Sequence, residues 1–333
     1  MDWQQRCIRF CGAMLVCAVC LRLADRCWLE SFAQPLEQPA VASFLTYLQT
    51  GRVVRLPPET VPDSQPVTQP PTLPIPTGAE EIPAPVSFRA EDLSLIQVKY
   101  NTEYRPDLEK LLLEPLPFGL SGEEPTVLIL HTHTTESYTA APGQSYTQTS
   151  AFRTLDPQYN MLAIGDRIAA LLTDAGIRVI HDRQFHDYPS YNGSYNHARE
   201  SIQAILAENP SIRLILDLHR DAADTPTGQM TTQASVGSAR SDQLMLVVGT
   251  GSGGLHHPDW ERNCALALKL HAVLEKENPG ICRDLVLSYS RYNQHLSPGA
   301  LLVEVGAAGN TLDEALIAAG ALAQGIITLF QGN

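Results

Sequence analysis

The chain has 333 residues, a formal net charge of −13 and 44% hydrophobic residues. This apolar content is enough to bury a core, which excludes wholesale disorder. The acidic balance argues against nucleic acid as the main partner, because phosphate binding needs clustered Lys and Arg. A mean hydropathy of −0.09 excludes a polytopic membrane protein.

The N-terminus has the pattern of a targeting segment. Arg6 and Arg9 precede an uncharged apolar run from Phe10 to Leu21, which is a positive n-region followed by a short hydrophobic stretch. The run is shorter than the ~20 residues that span a bilayer, although Arg22 can snorkel and extend it. We therefore predict an uncleaved signal-anchor in residues 1–30, with the body on the extracytoplasmic side of the membrane. A cleaved signal peptide and a buried amphipathic helix are the alternatives.

Residues 31–91 are predicted to form a juxtamembrane segment and a proline-rich linker. Ten prolines lie between Pro57 and Pro85. Proline removes backbone donors and favours extended polyproline II structure, so a semi-rigid spacer is favoured over a ligand for a proline-recognition domain. Of the seven cysteines, Cys264 and Cys282 alone lie in the body. A disulfide between them and two buried thiols remain equal alternatives.

Residues 92–333 alternate strand and helix patterns. The composition predicts an α/β domain with a largely parallel central sheet and helices on both faces. Functional side chains should then lie at the carboxyl ends of the strands. The strands are predicted at Val127–Leu130, Ile177–Ile180, Leu214–Leu218, Leu244–Val248 and Leu301–Val305, and the helices at Asn160–Ala175, Ala198–Ala207, Asn263–Glu277 and Thr311–Phe330.

Histidine and carboxylate residues follow three of these strands. His133 and Glu136 have the spacing of a metal chelate after the first strand, and His219 follows the third. Three protein ligands of this kind with an open position are typical of catalytic zinc, one ion per chain. His131 is the alternative to His133 as the ligand, or an outer-shell partner.

Glu304 lies in the apolar last strand, where a carboxylate is costly unless it is paired or used. It is the candidate general base for a metal-bound water. Arg220 or Arg291 is expected to stabilise an oxyanion or to hold a substrate carboxylate, and Arg291, Asn293 and Tyr138 are candidates for substrate contact.

Two polar loops and one missing motif complete this prediction. The glycine-rich run 249–254 is interpreted as a loop at the rim of the site, because no helix opens directly behind it as a dinucleotide site requires. The loop that contains His186, Asp187 and Ser190–Tyr195 is a second candidate for lining the cleft. The sequence has no G-x-S-x-G elbow, which argues against a serine hydrolase of the α/β-hydrolase type.

Several long segments resemble the sporulation stage II protein P family. They are HTHTTESY at 131–138, DLHRDAAD at 217–224, GTGSGGLHHPDW at 249–260 and RYNQHLSPGALLVEVGAAGNTLDEA at 291–315, together with residues 98–107. The likeness extends over roughly residues 98 to 330, and the layout of a short anchor and a linker also agrees with it.

The resemblance implies a cell-wall hydrolase of endospore-forming bacteria. Such enzymes cleave the amide between N-acetylmuramic acid and L-alanine and are credited with cleaving peptide cross-links during engulfment. The partners it implies are peptidoglycan, a sporulation lytic transglycosylase (stage II protein D) and a membrane protein (stage II protein M). The implied fold is similar to the zinc N-acetylmuramoyl-L-alanine amidases, with a His, Glu, His metal set and a catalytic glutamate near the C-terminus.

Carried over by position, the resemblance assigns metal ligation to His219 and catalysis to Glu304. The first-strand histidine is His133 or His131. The typical amidase glutamate begins the next helix, but residues 156–160 contain none, so Glu136 must replace it if the set has three members. Two alternatives remain: another metallohydrolase, such as a carboxypeptidase or a sugar deacetylase, and a non-catalytic peptidoglycan-binding scaffold.

Overall fold

The computed structural model describes residues 86–226 and 228–331. The predicted anchor and the predicted linker up to residue 85 lie outside these residues. A 3₁₀ helix at Ala90–Leu95 opens the described chain. The strands are β1 (Val98–Asn101), β2 (Val127–Leu130), β3 (Val179–His181), β4 (Leu214–Asp221), β5 (Asp224–Thr225), β6 (Gly228–Gln229), β7 (Ala234–Val236), β8 (Ala239–Ser241), β9 (Leu244–Gly249), β10 (Leu285–Ser288) and β11 (Ala300–Ala307). The helices are α1 (Leu108–Leu113), α2 (Met161–Asp174), α3 (Ser194–Glu208), α4 (Trp260–Glu277) and α5 (Leu312–Phe330).

Seven strands form one sheet in the order β1-β10-β9-β11-β4-β2-β3. The strands β11, β4, β2 and β3 are parallel to one another, and so are β1, β10 and β9. The two groups meet at β9 and β11, which pair antiparallel. The sheet is therefore mostly parallel, as predicted, but it contains one reversal of direction.

The helix ends follow local chemistry. Asn160 caps α2, since its side chain accepts the N–H of Leu162. Thr311 caps α5 in a reciprocal pair with Glu314, which satisfies two backbone donors that the first turn leaves free. All four predicted helices occur; α3 and α4 begin four and three residues before the predicted starts.

The two faces of the sheet are covered unequally. Helices α1, α4, α5 and α2 pack side by side on one face and form the main core. On the other face, α3 covers β2 and β4 through a smaller cluster that includes Ala198 and Ile202. Val247, Val286 and Leu302 form a third cluster on that face, packed by the half-buried Met245 and Tyr292. Helices thus lie on both faces, and the second face is the less protected one.

Helix α5 is the one described helix that is long and apolar enough to cross a membrane by length and composition. Its Ala318, Leu322 and Ile326 are buried in the main core. Cys264 and Cys282 are both free thiols, which resolves the alternative that the sequence left open.

Candidate functional site

The ends of β4 and β11 place a histidine beside a glutamate. His219 and Glu304 are direct partners in the parallel register of these strands, so their side chains project from the same face. Asp217, two residues earlier on β4, projects from that face as well, and its Oδ1 lies 3.0 Å from His219 Nε2. That contact is close in distance but is not aligned as a hydrogen bond.

Glu136 reaches this group from the loop after β2. Its Oε2 lies 3.7 Å from His219 Nδ1 and accepts the backbone N–H of Arg220 at 3.3 Å. Its Oε1 lies 3.3 Å from Arg153 Nη2 and 3.5 Å from Arg220 Nη1. Two guanidinium groups therefore hold a buried carboxylate against the imidazole of His219.

His133 and His131 have different surroundings. The ring of His133 meets the ring of His219 edge-on, with centroids 5.3 Å apart, and its Nδ1 is buried without a hydrogen-bond partner among the described residues. Both ring nitrogens of His131 are engaged, Nδ1 with Leu218 O at 3.1 Å and Nε2 with His181 Nε2 at 2.9 Å. Of the two histidines, His133 is the one that offers a free nitrogen to the site.

The electrostatics of the cluster are dominated by burial and by its carboxylates. Burial alone would lower the pKa of His219, but Asp217 and then Glu136 and Glu304 raise it to about 10. Burial also raises the pKa of Glu304 to about 8; His219 opposes this rise, and Glu136 and Asp221 add to it. Glu304 Oε2 is shielded from solvent and has no hydrogen-bond partner in the described chain. A carboxyl group with this pKa exchanges its proton near neutral pH.

The donor set suits a zinc ion in its chemistry. Zinc takes imidazole nitrogen and carboxylate oxygen, and the unpartnered nitrogen of His133 and the carboxylate of Glu136 both adjoin His219. Ligand atoms of a tetrahedral zinc site lie roughly 3.4 Å apart, close to the 3.7 Å between Glu136 and His219. The ligand atoms of these three residues do not all lie within 4.8 Å of one another.

A second group of potential ligands lies elsewhere. Within residues 86–226 and 228–331, the set of three whose ligand atoms all fall within 4.8 Å is His271, Glu275 and Cys282. It lies on α4 and before β10, on the helix-covered side of the sheet. Both oxygens of Glu275 accept backbone N–H groups, from Gly280 at 2.9 Å and from Cys282 at 2.7 Å, so this carboxylate already stabilises the turn that follows α4.

Two cavities adjoin on the less protected face. One, of about 240 Å³, contains Glu304 and lies over β1, β10, β9 and β11, with Lys99, Asp221 and Arg283 at its margin. The other, of about 330 Å³, is lined by Arg199, Arg291, Asn293, Gly253 of the glycine-rich loop and the adjoining Leu255. Tyr195 and Tyr292 line both. The glycine-rich loop therefore borders the second cavity, at the sheet edge opposite the carboxyl ends of β4 and β11.

Arg220, Tyr138 and Asn293 have structural contacts. Arg220 is buried; its Nε donates to Ser137 O at 3.0 Å and its Nη2 to Phe152 O at 2.8 Å. The Tyr138 hydroxyl donates to Val305 O at 2.7 Å and its ring is in the core. Asn293 lines the larger cavity while its amide donates to Tyr195 O at 2.7 Å. In this arrangement Arg220 and Tyr138 position the loop and the strand that carry Glu136 and Glu304.

Sequence reasoning missed several residues of the site. Arg153 pairs with Glu136 and with Asp187, the latter at 2.6 Å, and its guanidinium lies over the ring of Tyr191. Tyr191 stacks on His133 with centroids 4.5 Å apart, so the predicted 186–195 loop does lie against the site. Asp217 had a usable signal: it stands two residues before His219 on a strand and must share its face.

The chain is 29% identical over 218 residues to stage II sporulation protein P of Bacillus subtilis (strain 168). The match covers 62% of this chain and 51% of that protein, so the chain spans about half the length of the curated relative.

Two solved structures are similar over part of the fold. An N-acetylmuramoyl-L-alanine amidase of Nostoc punctiforme matches with a TM-score of 0.37 and 15% identity, over 63% of this chain and 99% of its own. An N-acetylmuramyl-L-alanine amidase of Mycobacterium smegmatis matches with a TM-score of 0.39 and 15% identity, over 64% of this chain and 100% of its own.

The decisive match is to a family. The family model described as stage II sporulation protein P matches residues 81–327, which include every strand and helix named above except the last three residues of α5. The chain belongs to the stage II sporulation protein P family.

Proposed function

We propose that this protein is a peptidoglycan hydrolase that cleaves the amide between N-acetylmuramic acid and L-alanine, and peptide cross-links as well, during sporulation engulfment. Membership of the family supports peptidoglycan as the substrate. The observation that carries the chemistry is the unpartnered, buried Oε2 of Glu304, which lies in a cavity beside the His219–Glu136 pair.

His133, Glu136 and His219 are the residues that would hold a zinc ion. A bound zinc polarises the scissile carbonyl and lowers the pKa of water. Arg153 and Arg220 keep the carboxylate of Glu136 in place through their ion pairs. Tyr191 covers the ring of His133 and limits its freedom to rotate.

Glu304 performs the proton transfers. Its carboxylate takes a proton from the attacking water and returns it to the leaving amine nitrogen of the stem peptide, so the two products are a lactyl-ended glycan and a free peptide. A pKa raised to about 8 suits a group that accepts and then releases a proton near neutral pH. Arg291 and Asn293 line the cavity next to that of Glu304, where they are proposed to contact the substrate.

The assembly proposed around this activity follows the family. The N-terminal segment would anchor the protein to the septal or engulfing membrane on its extracytoplasmic side. A lytic transglycosylase (stage II protein D) and a membrane protein (stage II protein M) are the proposed partners. Pull-down of the full chain from sporulating cells, with and without residues 1–30, tests both points.

The test of the activity combines metal content with product analysis. Full-chain protein is expected to hold one zinc and to release free stem peptides from purified peptidoglycan, and a chelator should stop that release. His219→Ala is expected to lose both zinc and turnover, whereas His271→Ala is the control and should keep both. Zinc that disappears from the His271 variant and stays in the His219 variant would place the metal at the second group and refute the proposal. Release of single amino acids or acetate would identify a carboxypeptidase or a deacetylase instead.

A further inference from the structure

The cavity of about 330 Å³ next to the candidate site is positively charged. Arg199 and Arg291 both line it, and no Asp or Glu is among the described residues of its wall. The side chain of Arg199 makes no hydrogen bond or ion pair with any described residue. The one hydrogen bond of the Arg291 side chain to a described residue is to His256 O, at 3.2 Å. In a chain with a net charge of −13, two arginines that face a cavity without a counter-charge need an explanation.

The groups behind the cavity do not neutralise these arginines. His257 is buried with both ring nitrogens unpartnered among the described residues, and His295 Nδ1 is in the same state. Burial, and then the charges of Arg291 and Arg199, lower the pKa of His295 to about 4. Burial, and then His295, lower the pKa of His257 to about 4. An imidazole carries no negative charge in either protonation state, so these rings leave the positive charge of the arginines available to a ligand.

The distance from Glu304 restricts what this ligand is. Glu304 is opposite Met245 on β9. Gly249 comes four residues after Met245 on the same strand, and the backbone of Ser290 and Arg291 packs closely against Gly249. A strand rises about 3.4 Å per residue, so Arg291 lies on the order of 14 Å from Glu304 along the sheet face. An extended peptide of about four residues spans that length.

We infer that this cavity binds a carboxylate of the substrate peptide, about three to five residues from the bond that is cleaved at Glu304. The inference rests on the proposed function, because it takes the peptide chain as the link between the two cavities. Tyr195 and Tyr292 line both cavities and form the passage between them. The exposed ring of Tyr289 and the exposed side chain of Leu255 supply apolar surface at the outer rim. The guanidinium groups of Arg199 and Arg291 supply charged hydrogen-bond donors that match a carboxylate.

The test uses two soluble muramoyl peptides that differ in one group. One carries a free carboxylate four residues from the scissile amide, and the other carries a carboxamide there. Wild-type full chain is expected to show a KM about tenfold lower for the carboxylate, with kcat nearly unchanged, since the contact is remote from the reaction. Arg199→Gln and Arg291→Gln should each remove most of that difference, and Arg199→Lys should restore part of it.

Arg167→Gln is the matched control. Arg167 is also half-buried and has no ion pair among the described residues, but it lies on α2, on the opposite face of the sheet. The Arg167→Gln variant should retain the tenfold preference in KM for the carboxylate peptide. Equal KM values for the two peptides in wild-type protein, or an unchanged preference in both glutamine variants, would overturn the inference.

Calorimetric binding of the same two peptides to Glu304→Gln separates this inference from the proposed function. If no peptidoglycan substrate is hydrolysed but the carboxylate peptide still binds more tightly and depends on Arg199, the proposed reaction fails and the carboxylate site stands. If hydrolysis occurs and binding ignores the charge, the reaction stands and the carboxylate site is refuted.

Discussion

Replacing Glu304 with glutamine should strongly reduce turnover and also remove a pH-dependent cost to stability. The pKa of this carboxyl rises from 4.5 to about 8, chiefly through burial. Between these values the folded protein holds a proton that the unfolded chain has released, so the free energy of unfolding falls as pH rises, by about 1.4 kcal/mol per unit. At pH 7 the accumulated cost is about 3 kcal/mol.

The assay is urea denaturation of chelator-treated protein at pH 5, 6, 7 and 8. Wild-type protein is expected to lose stability relative to Glu304→Gln at each step, until the two curves become parallel above pH 8. The buried amide of glutamine has its own desolvation cost of about 1–3 kcal/mol, so the slope with pH is diagnostic and the absolute difference is not. Turnover on peptidoglycan should fall by about 10²–10⁴-fold, the usual contribution of a general base.

Asp242→Asn is the matched control for this experiment. Asp242 is fully buried, both its oxygens lack hydrogen-bond partners among the described residues, and burial followed by Glu314 raises its pKa to about 9. Its replacement should remove a similar stability slope and leave turnover unchanged. Equal turnover in the two variants, whether both active or both inactive, would refute the reasoning that assigns catalysis to Glu304 by its location.

Three further changes test the site and the fold. His133→Ala is expected to reduce bound zinc, measured by elemental analysis, from about one ion per chain to a small fraction, while His131→Ala keeps the metal. Zinc that stays bound in the His133 variant would contradict the choice of His133 as the ligand. Asn160→Ala removes the cap of α2 and should cost about 1 kcal/mol, a fall of about 2 °C in thermal midpoint; an unchanged midpoint would mean that the cap is replaced. Gly165→Ala places a Cβ into the imidazoles of His181 and His131 and should destabilise the protein by about 1–3 kcal/mol in urea titrations, whereas equal stability would show that these rings move apart.

The buried strands were predictable because their hydrophobic runs are continuous. Val127–Leu130 has the predicted bounds, and β4, β9 and β11 contain their predicted segments. The second sequence strand was predicted at Ile177–Ile180 but occurs at Val179–His181. Strand β1 was missed because its four residues alternate in burial at the sheet edge, and the buried strand β10 was missed as well.

The reversal of strand direction was not predicted, although the sequence contains a sign of it. Consecutive parallel strands need a crossover connection, usually a helix. Residues 222–243 have no helical pattern, and they form two short hairpins, β5–β6 and β7–β8. Without a crossover helix, β9 enters the sheet antiparallel to β11.

The parts of the site that the sequence concealed depend on contacts across long loops. Arg153 reaches Glu136 because residues 136 and 153 pair as an isolated bridge, and no local pattern marks that pairing. His219 and Glu304 were easier, since each stands at the end of an apolar strand and the two strands are neighbours. Residues on regular elements were therefore accessible to pattern reasoning, whereas the arginine that orients the cluster was not.

The reversal also explains why one face of the sheet carries both cavities. The carboxyl ends of β4 and β11 bring His219 and Glu304 to one edge, while β9 and β10 end at the opposite edge, where Gly249 and Ser288 precede the loops with Arg291. A fully parallel sheet would place all of these loops at one edge. A long substrate of the proposed reaction would instead lie across the face between the edges, over Val247 and Leu302. The two ends of the cleft differ in charge, with carboxylates and histidines at the candidate reaction centre and, at the far end, arginines without an ion pair among the described residues. Under the proposed reaction, that difference would fix the direction in which a peptide chain is bound.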